Sequence, residues 1–236
     1  MLDVSDIGAL LSEHGISTDE PVFIYDDGKY LDAARLFWVL EVHGHPSVHI
    51  IEGGIKRWEL LGYSLDATPN APRDAKSFVP IVQPNSLSTT EDVYRSIDMP
   101  DVIILDARPK EEWRGLTSKT HIKGHIPSAK SQQWCNFLLI SNDKQEAGKA
   151  PNESWCTDPG LMPGEWLKLS NSADIGDLIG EQDEADSRVI TYCNRGKQSA
   201  VVYLALRQAG LDVSAYDGSW IEWSRHPDLP VASPQS

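Results

Sequence analysis

Two stretches of the chain alternate between a short apolar run and a longer run with helical spacing. The first opens with Pro21-Val-Phe-Ile-Tyr25 and turns through Asp26-Asp-Gly-Lys29. Apolar residues then recur at Ala33, Leu36, Phe37, Val39 and Leu40, up to Gly44. A second short run, Ser47-Val-His-Ile-Ile51, follows. The other stretch opens with Ser187-Arg-Val-Ile-Thr-Tyr192 and turns through Cys193-Asn-Arg-Gly-Lys-Gln198. Its helical run passes through Ala200, Val201, Leu204, Ala205 and Ala209 to Gly210, and a strand is expected near Val213 to Tyr216. Period-2 or continuous apolar runs of four to eight residues read as strands, and apolar positions three and four apart read as helix. A glycine closes each helix, where a left-handed residue satisfies the last carbonyls. Strands alternating with helices of this length predict α/β units on a parallel sheet.

The two stretches also match each other. Tyr25-Asp26 stands where Tyr192-Cys193 stands, and Ala33 and Ala200 each follow seven positions later. Glu52-Gly-Gly-Ile-Lys-Arg-Trp58 then matches Asp217-Gly-Ser-Trp-Ile-Glu-Trp223. The intervals are 26 residues from Asp26 to Glu52 and 24 from Cys193 to Asp217, a difference one loop absorbs. Agreement in residue type, order and spacing predicts an internal repeat and duplicated domains. Pro69 to Pro84, rich in Pro and Asn, reads as the linker. The expected boundary lies near residue 85, with a domain over 1–85 and another over 86–236.

Between the repeats, Ser88 to Ile97 reads as a helix and Asp101-Val-Ile-Ile-Leu105 as a buried strand running into Asp106-Ala-Arg108. Gly124-His-Ile-Pro127 reads as a turn, and Asn142 to Trp155 as a polar loop. Asn171 to Ser187 holds six acids and no base, so much of it is expected to be solvated surface.

Composition narrows the function classes. The 21 Lys+Arg stand against 35 Asp+Glu, a formal charge of −14. A chain this acidic lacks the basic face that replaces phosphate counterions, so nucleic acid is not expected as a partner. Anionic membranes are not expected either. No run of 18 apolar residues occurs, so no transmembrane helix is expected. The opening Met-Leu-Asp-Val-Ser-Asp lacks a basic segment followed by an apolar one, so no signal peptide and a cytoplasmic location are the expectations. Cys135, Cys156 and Cys193 are too few, and odd in number, for a disulfide framework, and no Cys-x-x-Cys or Cys/His spacing suggests a metal. Cys135 and Cys156 are read as small buried hydrophobes.

Cys193 reads differently. It stands between a β-rich run and a helix, the carboxyl end of a strand, where open α/β sheets bind ligands. The six residues from Cys193 to Gln198 form a tight loop with Gly196, and such a loop turns successive N–H groups inward as an anion nest. The following helix adds its positive end. Arg195 and Lys197 add side-chain charge. All of these favour the thiolate, the nucleophilic form.

These residues carry a resemblance. The second half resembles a rhodanese domain, and the whole chain resembles a tandem-rhodanese sulfurtransferase of the thiosulfate type. The resemblance rests on Asp106-Ala-Arg108, Gly124-His-Ile-Pro127, Tyr192-Cys193 with its six-residue loop, and Tyr216-Asp-Gly-Ser-Trp-Ile-Glu-Trp223, covering about Asp101 to Val231. The first half resembles the usual inactive partner domain, with Asp26 replacing the cysteine. It lacks an opening strand and a Gly-His-type turn, so a shortened first domain is expected, either a reduced partner domain or the result of a truncated chain. The implied fold is α/β, two rhodanese-like domains, each a central, mainly parallel sheet flanked by helices, the first incomplete. The implied chemistry is transfer of sulfane sulfur through a Cys193 persulfide, with no metal or organic cofactor. The implied partners are a small anionic sulfur donor and a thiol or cyanide acceptor; a sulfur-acceptor protein is a further candidate. Cys193 would be the nucleophile. Asn194, Gly196, Gln198 and Ser199 would supply the cradle, Arg195 and Lys197 would grip the donor, and Ser219 matches the family serine near the sulfur. Asp106, Arg108 and His125 are expected to be structural.

Departures from the family pattern bear on the donor. Glu112 stands where thiosulfate enzymes of the animal type carry Arg, with Arg114 two residues on. The loop differs from the Cys-Gly-Ser-Gly-Val-Thr loop of mercaptopyruvate enzymes, and its bases favour thiosulfate. Three alternatives stay open. Mercaptopyruvate could be the donor, or the fold could serve as a non-catalytic sulfur carrier or regulatory module. A phosphatase would need Arg six positions after the cysteine, where this chain has Ser199.

Overall fold

The computed structural model describes residues 4–68, 74–142, 145–151, 161–170, 172–179 and 187–233. In chain order the elements are α1 (Val4–Glu13), β1 (Val22–Ile24), α2 (Leu31–Val42), β2 (Val48–Ile50) and α3 (Gly54–Leu60). Then come β3 (Leu87–Ser88), α4 (Thr90–Arg95), β4 (Val102–Asp106), α5 (Lys110–Trp113), β5 (Lys130–Ser131), β6 (Leu138–Asn142), β7 (Gln145–Lys149) and β8 (Trp166–Leu169). The last are α6 (Ser172–Ile179), β9 (Arg188–Tyr192), α7 (Lys197–Gln208), β10 (Val213–Tyr216) and α8 (Ser219–Trp223).

The central sheet has five parallel strands in the order β3-β10-β9-β4-β5. The continuous apolar runs of β4 and β9 follow from that placement. Four residues of each are buried, because helices cover both faces and neither face can stay polar. β9 is the middle strand, so its carboxyl end opens at the centre of the sheet edge and carries Cys193. The helix expected from Ser88 is shorter, and its start is set by a capping box between Thr89 and Asp92.

The first matched stretch folds as β1, α2, β2 and α3, and the second as β9, α7, β10 and α8. β1 pairs in parallel with β2 from Val22 opposite Val48, and β9 with β10 from Val189 opposite Val213. One detail of the match shifts. The helix cap follows Asp26 by four positions, at Tyr30, but follows Cys193 by three, at Gly196, so the first loop is one residue longer.

The two stretches do not bury their apolar faces separately. Ala34, Trp38 and Val42 of α2 join Val201, Leu204 and Ala205 of α7 in one core that continues to β4 and β9. A smaller core under the first stretch gathers Ile7, Leu11, Ile24, Ala33, Leu40 and Phe78. The described part of the expected linker is fastened to it. Phe78 is buried, its N–H donates to Ser12 Oγ at 3.0 Å, and Ile81 and Gln83 donate to the carbonyls of His43 and Val42.

Two expectations are corrected, on the polar run and on Cys135, and the acidic run gains a detail. The polar run from Asn142 is not all loop, because Gln145–Lys149 pairs antiparallel with β6, and β8 completes that small sheet. The acidic run from Asn171 contains α6, whose Ile175 and Ile179 reach the main core; helical spacing buries one stripe of an otherwise polar segment. Cys135 is fully buried as expected, but its sulfur is disulfide-bonded. Cys156 lies outside the described residues. Among the described residues, no helix is long and apolar enough to cross a membrane.

Candidate active site

Cys193 is 1% exposed, and it is a free cysteine. Its sulfur lies inside the turn that joins β9 to α7. The Gly196 N–H donates to Sγ at 3.1 Å, and the Ser199 hydroxyl donates to it at 3.6 Å. Gly196 makes this turn possible because its φ is +79°, a left-handed conformation that costs a side-chain-bearing residue steric strain. Two donors aimed at one sulfur from the start of a 12-residue helix place partial positive charge where a thiolate or persulfide would carry its negative charge.

Residues from α8 pin the loop from behind. The Cys193 N–H donates to Ser219 Oγ at 3.3 Å, and that hydroxyl donates onward to the Tyr216 carbonyl at 2.9 Å. Trp220 and Ile221 N–H groups donate to the Cys193 and Asn194 carbonyls at 2.9 and 3.2 Å. Asn194 is buried, and its amide donates to Glu112 Oε2 at 3.0 Å. Glu112 is therefore buried in the loop's wall rather than presented to solvent, with Arg108 Nη1 3.8 Å from the same oxygen.

Asp106 and Arg108 form a fully buried pair below this wall. Arg108 Nη2 donates to Asp106 Oδ2 at 2.6 Å and Nε to Oδ1 at 2.9 Å. Nη2 also donates to the Gly124 carbonyl at 2.8 Å, and the Tyr192 hydroxyl donates to Asp106 Oδ2 at 2.7 Å. Burial would pull the Arg108 guanidinium down, but the Asp106 carboxylate and its hydrogen bonds more than reverse this and hold it above its ordinary value. Burial, then the Asp106 charge, pushes the Tyr192 phenol well up. The pair ties β4, the Gly124 turn and β9 together. His125 stacks on Trp113 with ring centroids 4.4 Å apart, and its Nδ1 lies 2.7 Å from the Trp113 carbonyl. Burial holds its imidazole below the ordinary value, as a neutral packing residue requires.

The two bases of the loop lie at its surface. Arg195 and Lys197 are exposed, and Lys197 Nζ pairs with Asp32 Oδ1 of α2 at 2.7 Å. Sequence reasoning missed Asp32, and it also missed Arg35, which reaches the loop from α2. Arg35 sits in an apolar helical run three positions before Trp38, and that interruption was the one signal it offered.

The matching loop of the first stretch holds a carboxylate where the second holds sulfur. Asp26 Oδ1 accepts from Gly28 and Tyr30 N–H at 2.8 and 3.2 Å, and Oδ2 from Asp32 and Ala33 N–H at 3.2 and 3.3 Å. The loop's own carboxylate takes up four backbone N–H groups. Asp26→Ala should therefore destabilise the protein by about 1–2 kcal/mol, as loss of a charged helix cap does. Urea unfolding checks this, and Asp26→Asn should cost less because one oxygen acceptor remains.

Residues 89–226 match the family described as Rhodanese-like domain. A protein named thiosulfate sulfurtransferase from Pseudomonas aeruginosa is 28% identical over 230 residues, 96% of this chain and 75% of that one. An Arabidopsis thaliana protein named thiosulfate/3-mercaptopyruvate sulfurtransferase 1, mitochondrial, is 26% identical over 94% of this chain, which spans 59% of that protein. The solved wild-type EanB superposes with a TM-score of 0.79 at 19% identity over the whole of this chain and 55% of that one. YnjE gives a TM-score of 0.74 at 24% identity, with 54% of that chain covered. These two structures speak to the fold alone.

Proposed function

Because the chain belongs to the rhodanese-like domain family, we propose that it moves sulfane sulfur from thiosulfate to a thiophilic acceptor through a persulfide on Cys193. The observation that carries this reading is the pair of donors, Gly196 N–H and Ser199 Oγ–H, converging on the one sulfur at the carboxyl end of the central strand. The Cys193 thiolate attacks the outer sulfur of thiosulfate. A new S–S bond forms, the old S–S bond breaks, and sulfite leaves with the bonding pair. An acceptor then attacks the outer persulfide sulfur, and the pair returns to Cys193 as thiolate. With cyanide the product is thiocyanate. Both steps are nucleophilic displacements, and together they make a ping-pong cycle. The loop donors stabilise the anionic persulfide between the two steps, as an oxyanion hole does for an alkoxide.

The same reading assigns substrate contacts by position. Asn194, Gly196, Gln198 and Ser199 form the cradle, and Ser219 holds the Cys193 amide. Arg195 and Lys197 draw the anionic donor to the mouth of the loop; Lys197 does so while shared with Asp32. Asp106, Arg108 and His125 hold the scaffold. The two repeated stretches belong to two domains divided near residue 85, the first made non-catalytic by Asp26. Burial of Glu112 against Asn194 and Arg108 supports thiosulfate as donor, because this carboxylate is turned into the wall and does not face the entering anion. Comparing kcat/KM for the two donors tests the assignment. Thiosulfate should be preferred by about tenfold or more, as expected when two cations meet a dianion rather than a monoanion. A clear preference for mercaptopyruvate would overturn the roles given to Arg195 and Lys197.

A further inference from the structure

Arg35 lies on α2, in the stretch without the cysteine, yet it reaches the loop that holds Cys193. Its Nη2 is 2.6 Å from Asp217 Oδ1, and its Nη1 donates to the Gly196 carbonyl over a long 3.5 Å. Its guanidinium also lies over Trp38, 4.5 Å from the ring centroid, and Trp38 is itself pinned by its indole N–H to the Ser86 carbonyl at 2.9 Å. The guanidinium is thus held from below and aimed from the side. It joins two parts of the second stretch, the catalytic loop and the Asp217-Gly-Ser-Trp segment. The fit is close: a Cβ on Gly196 would lie 2.7 Å from Arg35 Nη1 and 3.1 Å from Asp217 Oδ1.

We propose that Arg35 is a positioning residue for the Cys193 loop, so that the non-cysteine stretch completes the catalytic one. The physical basis is the peptide between Gly196 and Lys197. In a planar trans peptide the C=O and N–H point in opposite directions. Drawing the Gly196 carbonyl toward Arg35 turns the Lys197 N–H the other way. As the first residue of α7, Lys197 has an N–H with no partner inside its own helix. The same grip fixes Gly196, whose own N–H donates to the Cys193 sulfur. Asp217 holds Arg35 in place and offsets its charge, so the arginine acts through geometry more than through long-range attraction. This inference rests on Cys193 being the nucleophile.

Its test reads the thiol directly, without a sulfur donor. The rate of Cys193 alkylation by iodoacetamide, followed by peptide mass mapping, is measured for the wild type, Arg35→Ala, Arg35→Lys and Arg207→Ala. Arg207 bridges the same two helices through Glu41 at 3.0 Å but lies near the far end of α7. Arg35→Ala should slow Cys193 alkylation about tenfold, and Arg35→Lys about threefold, since an ammonium keeps the charge but not the two-pronged grip. Arg207→Ala should stay within about twofold of the wild type. An unchanged rate in Arg35→Ala overturns the proposal, and so does an equal loss in Arg207→Ala, which would reduce Arg35 to general helix packing. If Arg35→Ala does not fold, Arg35→Lys decides: a slowed rate at unchanged melting temperature supports the role, and an unchanged rate overturns it. Thiosulfate turnover is measured in parallel. A wild type that alkylates at Cys193 yet transfers no sulfur counts against the proposed function and leaves the Arg35 result standing.

Discussion

Cys193→Ala should lower kcat/KM for sulfur transfer by about 10³-fold or more, because loss of the nucleophile removes the covalent route itself. The protein should still fold. The side chain is small and buried, and the change removes one sulfur while leaving two donors, Gly196 N–H and Ser199 Oγ–H, without their acceptor. That costs on the order of 1–3 kcal/mol, a fraction of an ordinary domain's stability. Mass spectrometry after exposure to thiosulfate gives the sharper measurement. The wild type should gain one sulfur on the peptide containing Cys193, and Cys193→Ala should gain none. Sulfur found instead on a peptide containing Cys135 or Cys156 would overturn the site assignment.

Asp106→Ala should be the most destabilising of the substitutions considered, by about 3–5 kcal/mol, because it leaves a buried guanidinium without its counter-charge. Both Asp106 and Arg108 have 0% exposure, so solvent cannot screen or replace the missing carboxylate. The Tyr192 hydroxyl loses its acceptor in the same change. Glu112 cannot substitute, since its nearest oxygen is 3.8 Å from Nη1 and is already bonded to Asn194. Asp106→Asn keeps the shape but not the charge, and most of the loss should remain. Chemical denaturation of both variants checks this. Full stability with lost turnover would instead place the pair in the chemistry, against the structural role its burial supports.

Much of this arrangement was legible in the chain. β4 and β9 were readable because a strand covered on both faces must be apolar throughout, as in Val102-Ile-Ile-Leu105 and Val189-Ile190. The Cys193 loop was readable because Cys193 to Gln198 is contiguous and its glycine sits where the backbone must turn left-handed. Asp26 was readable as the counterpart of Cys193, though the extra residue before Tyr30 was not. The small antiparallel sheet escaped notice because Gln145-Glu-Ala-Gly-Lys149 has neither period-2 apolarity nor β-branched residues. Its pairing comes from β6 alongside it. The core stripe of α6 was hidden by the acids around Ile175 and Ile179.

Local chemistry therefore determined the α/β class, the shared strand–helix–strand–helix order of the two stretches, and the cysteine at the end of a strand, because these depend on residues close together along the chain. Only the tertiary structure decided how the two stretches meet. α2 packs on α7, Arg35 reaches Gly196 and Asp217 from more than 150 positions away in the chain, and Asp32 takes the charge of Lys197. Glu112, legible only as a misplaced acid, proved to be a buried partner of Asn194. Pairings of this kind depend on how helices dock on a shared core, and no local pattern along the sequence encodes the distance between two side chains so far apart.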